Sequence, residues 1–292
     1  MTALAMSAAD ARRFLAEEIR VSANIRSDRI VAALAAVPRE RFLPKGPWQI
    51  RGIGDAGAGS GRLTDDADPR HVYHDVSIAI DPDRNLYNGQ PSLIARWLDA
   101  VRLDEGQRVV HVGCGTGYFT AIIGRAVGPA GRVDAMDVDA DLAVRARMSL
   151  SDQPWISVRH ANGTRDLLKR SDVVIVHAGA THVLGAWLDA MADGGRLLVP
   201  LTVALPGMPD GIGKGMMLLI TRRGDAWEAG VQSTMPVAIY SLKDVRDEQL
   251  ASALGRAMMT GALLKATTVR RDPHEPAASC VVHGSTTCLG AI

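Results

Sequence analysis

Three glycines at alternate positions, Gly113, Gly115 and Gly117, close the segment RVVHVGCGTG (Arg108–Gly117). Glycine allows a backbone to turn tightly and to approach a ligand closely. The apolar run before them, Val109, Val110 and Val112, reads as a buried parallel strand interrupted by His111. After them, Tyr118–Val127 carries apolar residues at helical spacing. A strand, a glycine turn and a helix in that order present unpaired N–H groups and a partial positive charge to a polar or anionic ligand.

Glycine spacing narrows the ligand. A dinucleotide fingerprint requires G-x-G-x-x-G and a P-loop requires G-K-[ST]. Here the third glycine arrives one residue early, Tyr118 stands where the dinucleotide form wants glycine, and no G-K-[ST] is present. The G-x-G-x-G form is the pattern of S-adenosylmethionine (SAM) binders, whose methionine end lies over the loop. A second strand, RVDAMDVD (Arg132–Asp139), ends in acid. Asp137 follows Gly113 by 24 positions (137 − 113), close to the roughly 20 at which a ribose-binding acid is expected. A carboxylate there accepts both ribose hydroxyls. Asn162 and Gly163 fall at the next strand end. Gln90, His111, Thr116 and Val138 are assigned to the same cofactor site as neighbours of these residues.

Three further residues are candidates for the chemistry itself. His177 ends the strand DVVIV (Asp172–Val176), Asp75 lies near a polar knot, and Asn88 belongs to that knot, Asn88-Gly89-Gln90, just ahead of a helix opened by Pro91. Methyl transfer from a sulfonium asks the protein mainly to align nucleophile, methyl and sulfur. A carboxylate acceptor is ionised at neutral pH and needs no base. A hydroxyl or amine acceptor would need one, with His177, His74 or Asp75 available.

The elements that must position these residues follow an α/β pattern. Two helices are expected over residues 7–43, capped by Ser7 and Ser27 and ended by Pro38. Trp48–Pro69 is rich in Gly and Asp, without periodic apolar residues, and reads as a loop or lid. Strand and helix then alternate: Val76–Ile80, a helix from Pro91, Ala140–Leu150 helical, Ile156–Arg159 extended, His182–Met191 helical and Arg196–Val199 extended. Such alternation implies a parallel sheet covered on both faces, with all strand C-termini on one edge, where ligands of open α/β sheets bind. Pro206–Gly215 reads as a turn-rich loop, Met216–Thr221 and Ala226–Val231 as a strand pair, Asp247–Met259 as a helix and Cys280–His283 as a last strand. The expected organisation is an N-terminal helical and lid segment (1–85), a SAM-binding core (86–221) and a C-terminal extension (222–292).

Composition excludes several classes. A net charge of +1 gives no electrostatic case for nucleic acid or an anionic membrane. No apolar stretch nears the ~20 residues of a membrane span, and the N-terminus lacks the basic start and apolar core of a secretion signal. Cys114, Cys280 and Cys288 are odd in number and form no C-x-x-C pair, which points to a reducing cytoplasm with neither a disulfide framework nor a zinc site. Cys114 reads as a small packing residue in the glycine loop.

From about Val31 to Val203 the chain resembles the protein-L-isoaspartate O-methyltransferase family of SAM-dependent methyltransferases. The resemblance rests on VPRERFLP (Val37–Pro44), the YxD of Tyr73 and Asp75, GQPSLIARWLD (Gly89–Asp99), VHVGCGTGYFTA, ANG (Ala161–Gly163), DVVIVHAGA and GGRLLVPL (Gly194–Leu201), in the family's order. It implies a Rossmann-like fold with a seven-stranded, mostly parallel sheet and helices on both faces. It also implies SAM as methyl donor and a peptide isoaspartyl carboxylate as acceptor. Gly113, Gly115 and Gly117 would hold the methionine part, Asp137 the ribose and Asn162-Gly163 the adenine edge. The family's Thr-Ile-Ser before Gln-Pro is here Tyr87-Asn88-Gly89, without the hydroxyl, and its Asp-Gly is Asn162-Gly163. The expectation is therefore an O-methyltransferase for a carboxylate in a peptide or a small natural product. The alternatives are a hydroxyl or amine acceptor, or a SAM-binding protein without catalysis. A homodimer is compatible with either.

Overall fold

The computed structural model describes residues 6–52, 61–208, 210–232, 237–242 and 244–291. In chain order the elements are α1 (Ala8–Ser22), α2 (Asp28–Ala36), β1 (Gln49–Arg51), β2 (Arg62–Leu63), β3 (Ser77–Asp81), β4 (Leu86–Asn88) and α3 (Pro91–Ala100). Then come β5 (Arg108–Val112), α4 (Tyr118–Val127), β6 (Arg132–Asp137), α5 (Ala140–Ser149), β7 (Ile156–His160), β8 (Ser171–Val176), α6 (Gly185–Asp189) and β9 (Met191–Val203). The chain ends with β10 (Ile212–Arg223), β11 (Ala226–Val231), β12 (Val237–Tyr240), α7 (Glu248–Met259), β13 (Thr268–Arg270), β14 (Cys280–His283) and β15 (Cys288–Gly290). Two compact units interleave along the chain.

The first unit comprises residues 1–106, 114–133 and 139–160. Ser7 and Asp10 form a reciprocal capping box at the start of α1, and the Ser27 hydroxyl accepts from the Ile30 N–H at the start of α2. Leu15 and Ile19 of α1 and Ile30 and Leu34 of α2 fall at helical spacing and are buried. The core of the unit continues through Leu98 of α3 and Ile122 and Ile123 of α4. A small antiparallel sheet, ordered β2-β1-β3-β4, covers part of the stretch expected to be a loop or lid. Trp48 N–H donates to the Thr64 hydroxyl at 2.8 Å, which ties the two ends of that stretch together. Residues 53–60 of the expected lid lie outside the described residues.

The second unit comprises residues 107–113, 134–138 and 161–292. Its sheet runs in the order β14-β15-β13-β11-β10-β9-β8-β5-β6, with β12 beside β10. The centre is parallel: β5 pairs β8 from Val109↔Val173 to Val112↔Val176, and β8 pairs β9. Val109, Val110, Val173, Val174, Ile175 and Val176 are all buried, as strands covered on both faces require. From β9 outward the pairing is antiparallel, so the sheet runs on past the seven strands expected. β10 and β11 pair across residue 221 without a break. The core is built on Trp187, Leu188, Leu197, Val199, Leu218, Ile220 and Leu254.

Two elements differ from their expected extents. The helix expected over 182–191 is confined to Gly185–Asp189, and β9 starts at Met191. Between the pairs Ser171↔Met191 and Val173↔Arg196, five steps on β9 oppose two on β8. This irregularity absorbs Asp193-Gly194-Gly195, which hides the strand's start in the sequence. β10 begins at Ile212, inside the turn-rich stretch, because β12 supplies it with partners. No described helix is long and apolar enough to cross a membrane.

Candidate active site

In the second unit the C-terminal ends of β5, β6 and β8 carry the candidate residues. Gly113, with φ 77°, donates its N–H to the Met136 carbonyl at 2.9 Å. Asp137 is 8% exposed at the end of β6, and its carbonyl accepts from the Ala161 N–H. Val138, the next residue, is 66% exposed. The His177 N–H donates to the Val112 carbonyl at 2.9 Å, extending the β5–β8 ladder by one residue. A Cβ on Gly113 would stand 3.4 Å from the His177 backbone, so the glycine turn and His177 are immediate neighbours.

His111 and His177 form a pair. Nε2 of His111 lies 2.9 Å from Nδ1 of His177, and the rings meet edge to face with centroids 4.7 Å apart. One nitrogen must donate and the other accept, so both rings can be neutral. Burial drives the His111 pKa well below the ordinary histidine range, with the His177 charge adding to it, and lowers His177 to about 4. His111, expected at the cofactor site, is fully buried inside β5 with its Nε2 toward His177.

Asn162 and Gly163 follow β7. The Asn162 Oδ1 accepts from the Thr164 N–H at 3.0 Å and from its hydroxyl at 2.7 Å, while its Nδ2 donates to Asp244 at 2.6 Å. Both ends of this amide are therefore engaged within the protein. Gly163 has no room for a side chain: a Cβ would lie 2.6 and 2.7 Å from the two Val112 methyls and 3.1 Å from the Met136 sulfur. Its carbonyl accepts from the Trp187 indole at 2.9 Å.

In the first unit the loop continues through Cys114–Gly117 into α4. Gly115 and Gly117 adopt φ of 57° and 95°. At Gly117 both conformation and space forbid a side chain, since a Cβ would stand 3.0 Å from Leu150 and 3.2 Å from Ala146. A Cβ added at Gly115 would meet no described atom within 4 Å beyond its chain neighbours. No side chain caps α4 at Gly117. The Thr116 hydroxyl is buried without a hydrogen-bond partner among the described residues, a cost of about 1–3 kcal/mol that a polar ligand group would remove. The left-handed glycines and the unsatisfied Thr116 hydroxyl fit a polar cofactor lying over this loop.

Also in the first unit, Asp75 accepts from the Ser92 N–H in the first turn of α3 at 2.8 Å and from Gln90 Nε2 at 2.7 Å. It thereby caps the start of α3. Asn88 is buried, and its Oδ1 accepts from Arg39 Nε at 3.1 Å. Arg39 also donates to the carbonyls of Val72, His74, Val76 and Gly89. Burial lowers its pKa to about 10, which leaves it charged at neutral pH. Sequence reasoning missed Arg39. Its signal was the Arg that directly follows Val37-Pro38 in the apolar-flanked block VPRERFLP.

The sequence model of the protein-L-isoaspartate(D-aspartate) O-methyltransferase family matches residues 61–206, half of the chain. The chain belongs to that family. A protein-L-isoaspartate O-methyltransferase 1 from Rhodopseudomonas palustris is 28% identical over 196 residues, 66% of this chain and 70% of the relative. Among solved structures, a protein-L-isoaspartate O-methyltransferase superposes with a TM-score of 0.63 at 22% identity, covering 85% of this chain and 69% of that one. A putative family member from Plasmodium falciparum, solved with S-adenosyl-L-homocysteine, gives 0.53 at 17% identity, covering 79% and 95%. At such identity the superpositions establish the fold, and family membership makes the chain a SAM-dependent methyltransferase.

Proposed function

We propose that the protein methylates a carboxylate of a peptide or protein, the isoaspartyl side chain being the acceptor that family membership favours. Gly113, Gly115, Thr116 and Gly117 would hold the methionine end of SAM and Asp137 its ribose. SAM when bound supplies an electrophilic methyl group. The chain's own contribution is orientation and exclusion of water. Gln90 and Asp75 fix the first turn of α3, and Arg39 holds the backbone of residues 72–76 and 88–89 in place.

The choice of acceptor is supported by the family match and by His177, whose Nδ1 is already engaged by His111 Nε2 at 2.9 Å. A general base works best with a pKa near the operating pH. His177, lowered to about 4, is a poor base for a hydroxyl or an ammonium. A carboxylate is already ionised at neutral pH and asks for no base. The three free cysteines suit a reducing, cytoplasmic setting.

The test is methyl transfer from labelled SAM to matched isoaspartyl and aspartyl peptides. Label should appear on the isoaspartyl peptide and be released as methanol by mild base. Replacing His177 with alanine should change turnover by less than about 10-fold, where loss of a true base costs about 10²–10⁴. A base-stable product, or a loss in the larger range, would transfer the assignment to a hydroxyl or amine acceptor.

A further inference from the structure

Outside the segment matched by the family model, the end of the second unit gathers two cysteines and two histidines. β14 and β15 pair antiparallel with His283 opposite Cys288, and Cys280 lies three residues before His283 on the same strand. His274 sits on the segment leading into β14. Its Nε2 is 3.6 Å from the Cys280 sulfur, and its ring meets that of His283 edge to face at 4.8 Å. One ligand atom from each of His274, Cys280, His283 and Cys288 lies within 4.8 Å of every other. This is the one such group of metal-capable side chains among the described residues.

Three details suit a metal. The Nδ1 of His274 donates to the Asp272 carbonyl at 2.7 Å, which fixes the tautomer and leaves the lone pair on Nε2, facing Cys280. The Ala277 N–H points at the Cys280 sulfur at 3.3 Å, a contact that stabilises a thiolate. The Nδ1 of His283 is buried without a hydrogen-bond partner among the described residues. Both cysteines are free thiols. A tetrahedron with Zn–S of about 2.3 Å and Zn–N of about 2.0–2.1 Å sets its donors roughly 3.3–3.8 Å apart. The four side chains need to close by only about 1 Å to reach it.

We propose that His274, Cys280, His283 and Cys288 bind one Zn²⁺. Two sulfurs and two imidazole nitrogens in a tetrahedron select zinc among the available divalent ions. Four protein ligands leave no open position, so the ion is structural. It clamps the β14–β15 hairpin, the edge of the second unit's sheet, to the His274 segment. The cysteine count alone shows no zinc site, because half of this ligand set is histidine. The spacing H-x₅-C-x₂-H-x₄-C matches no common zinc motif because the pairing of β14 with β15 brings its halves together.

The experiment uses the untagged full chain, purified without chelator. Elemental analysis should find about one zinc per chain, and Cys280→Ser and Cys288→Ser should each lower it at least about 5-fold. Wild-type protein stripped with chelator under reducing conditions should melt several degrees lower and recover with Zn²⁺. With Co²⁺ it should show the visible bands of a tetrahedral thiolate site, saturating at one equivalent. S-adenosylhomocysteine binding, measured calorimetrically on the same samples, should persist in the serine variants, so failure here is distinct from failure of the methyl-transfer reading. Three results would overturn the proposal: negligible metal together with no Co²⁺ spectrum in stripped wild type, a Cys280–Cys288 disulfide in the purified protein, or undiminished zinc in the double serine variant.

Discussion

Replacing Gly163 with alanine tests whether the β5 strand end is held by contact alone. The new Cβ would lie 2.6 and 2.7 Å from the two Val112 methyls and 3.1 Å from the Met136 sulfur. Ordinary carbon contacts lie at about 3.5–4.0 Å, so the overlap with each methyl is roughly 1 Å. Val112 is β-branched and stiff at χ1. Its strand is also fixed to β8 and, through Val112 O, to the His177 N–H. Little can give except Gly163 itself, and moving it strains the Trp187–Gly163 hydrogen bond. Overpacking of this kind costs about 2–3 kcal/mol, which should lower the melting temperature by about 5–10 °C. Val112→Ala removes both clashing methyls at its own cost of about 1–2 kcal/mol. Urea unfolding of the wild type, both single variants and the double variant would give the coupling. We expect the double variant to lose at least about 1 kcal/mol less than the sum. Additivity within about 0.5 kcal/mol would refute the reasoning.

Two further predictions rest on buried charge. Arg39→Met should leave the Asn88 Oδ1 and the carbonyls of Val72, His74, Val76 and Gly89 without their shared donor, destabilising the protein by about 3–5 kcal/mol. Urea midpoints would measure this, and a loss under about 1 kcal/mol would show the network to be dispensable. Stability should also fall in mild acid. His177 has a folded pKa near 4 against an unfolded value near 6.5, so the unfolded chain takes up the proton first. The stability held above pH 6.5 is lost as pH drops toward 4, by roughly 3 kcal/mol from this residue. His177→Gln should flatten unfolding free energy against pH over that window, and an unchanged slope would count against the assignment.

The sequence by itself determined the strands of the parallel centre and the glycine turn. Unbroken apolar runs such as Val109–Val112 and Val173–Val176 have no other stable place than a sheet covered on both faces. The spacing of Gly113, Gly115, Gly117 and Asp137 likewise carried the cofactor, because those constraints act within a few dozen residues. It also marked the helix starts at Ser7 and Ser27, where capping is a local bond. Roles set by contacts between distant residues were decided by tertiary structure alone. Asp75 caps α3 from 17 residues away, Arg39 reaches Asn88 across 49, and His111 meets His177 across 66. The antiparallel strands β12, β13 and β15 are three or four residues long and carry too few side chains for a periodic signal. They exist because neighbouring strands supply hydrogen bonds. The same pairing assembles two cysteines and two histidines that, read along the chain, look like isolated residues.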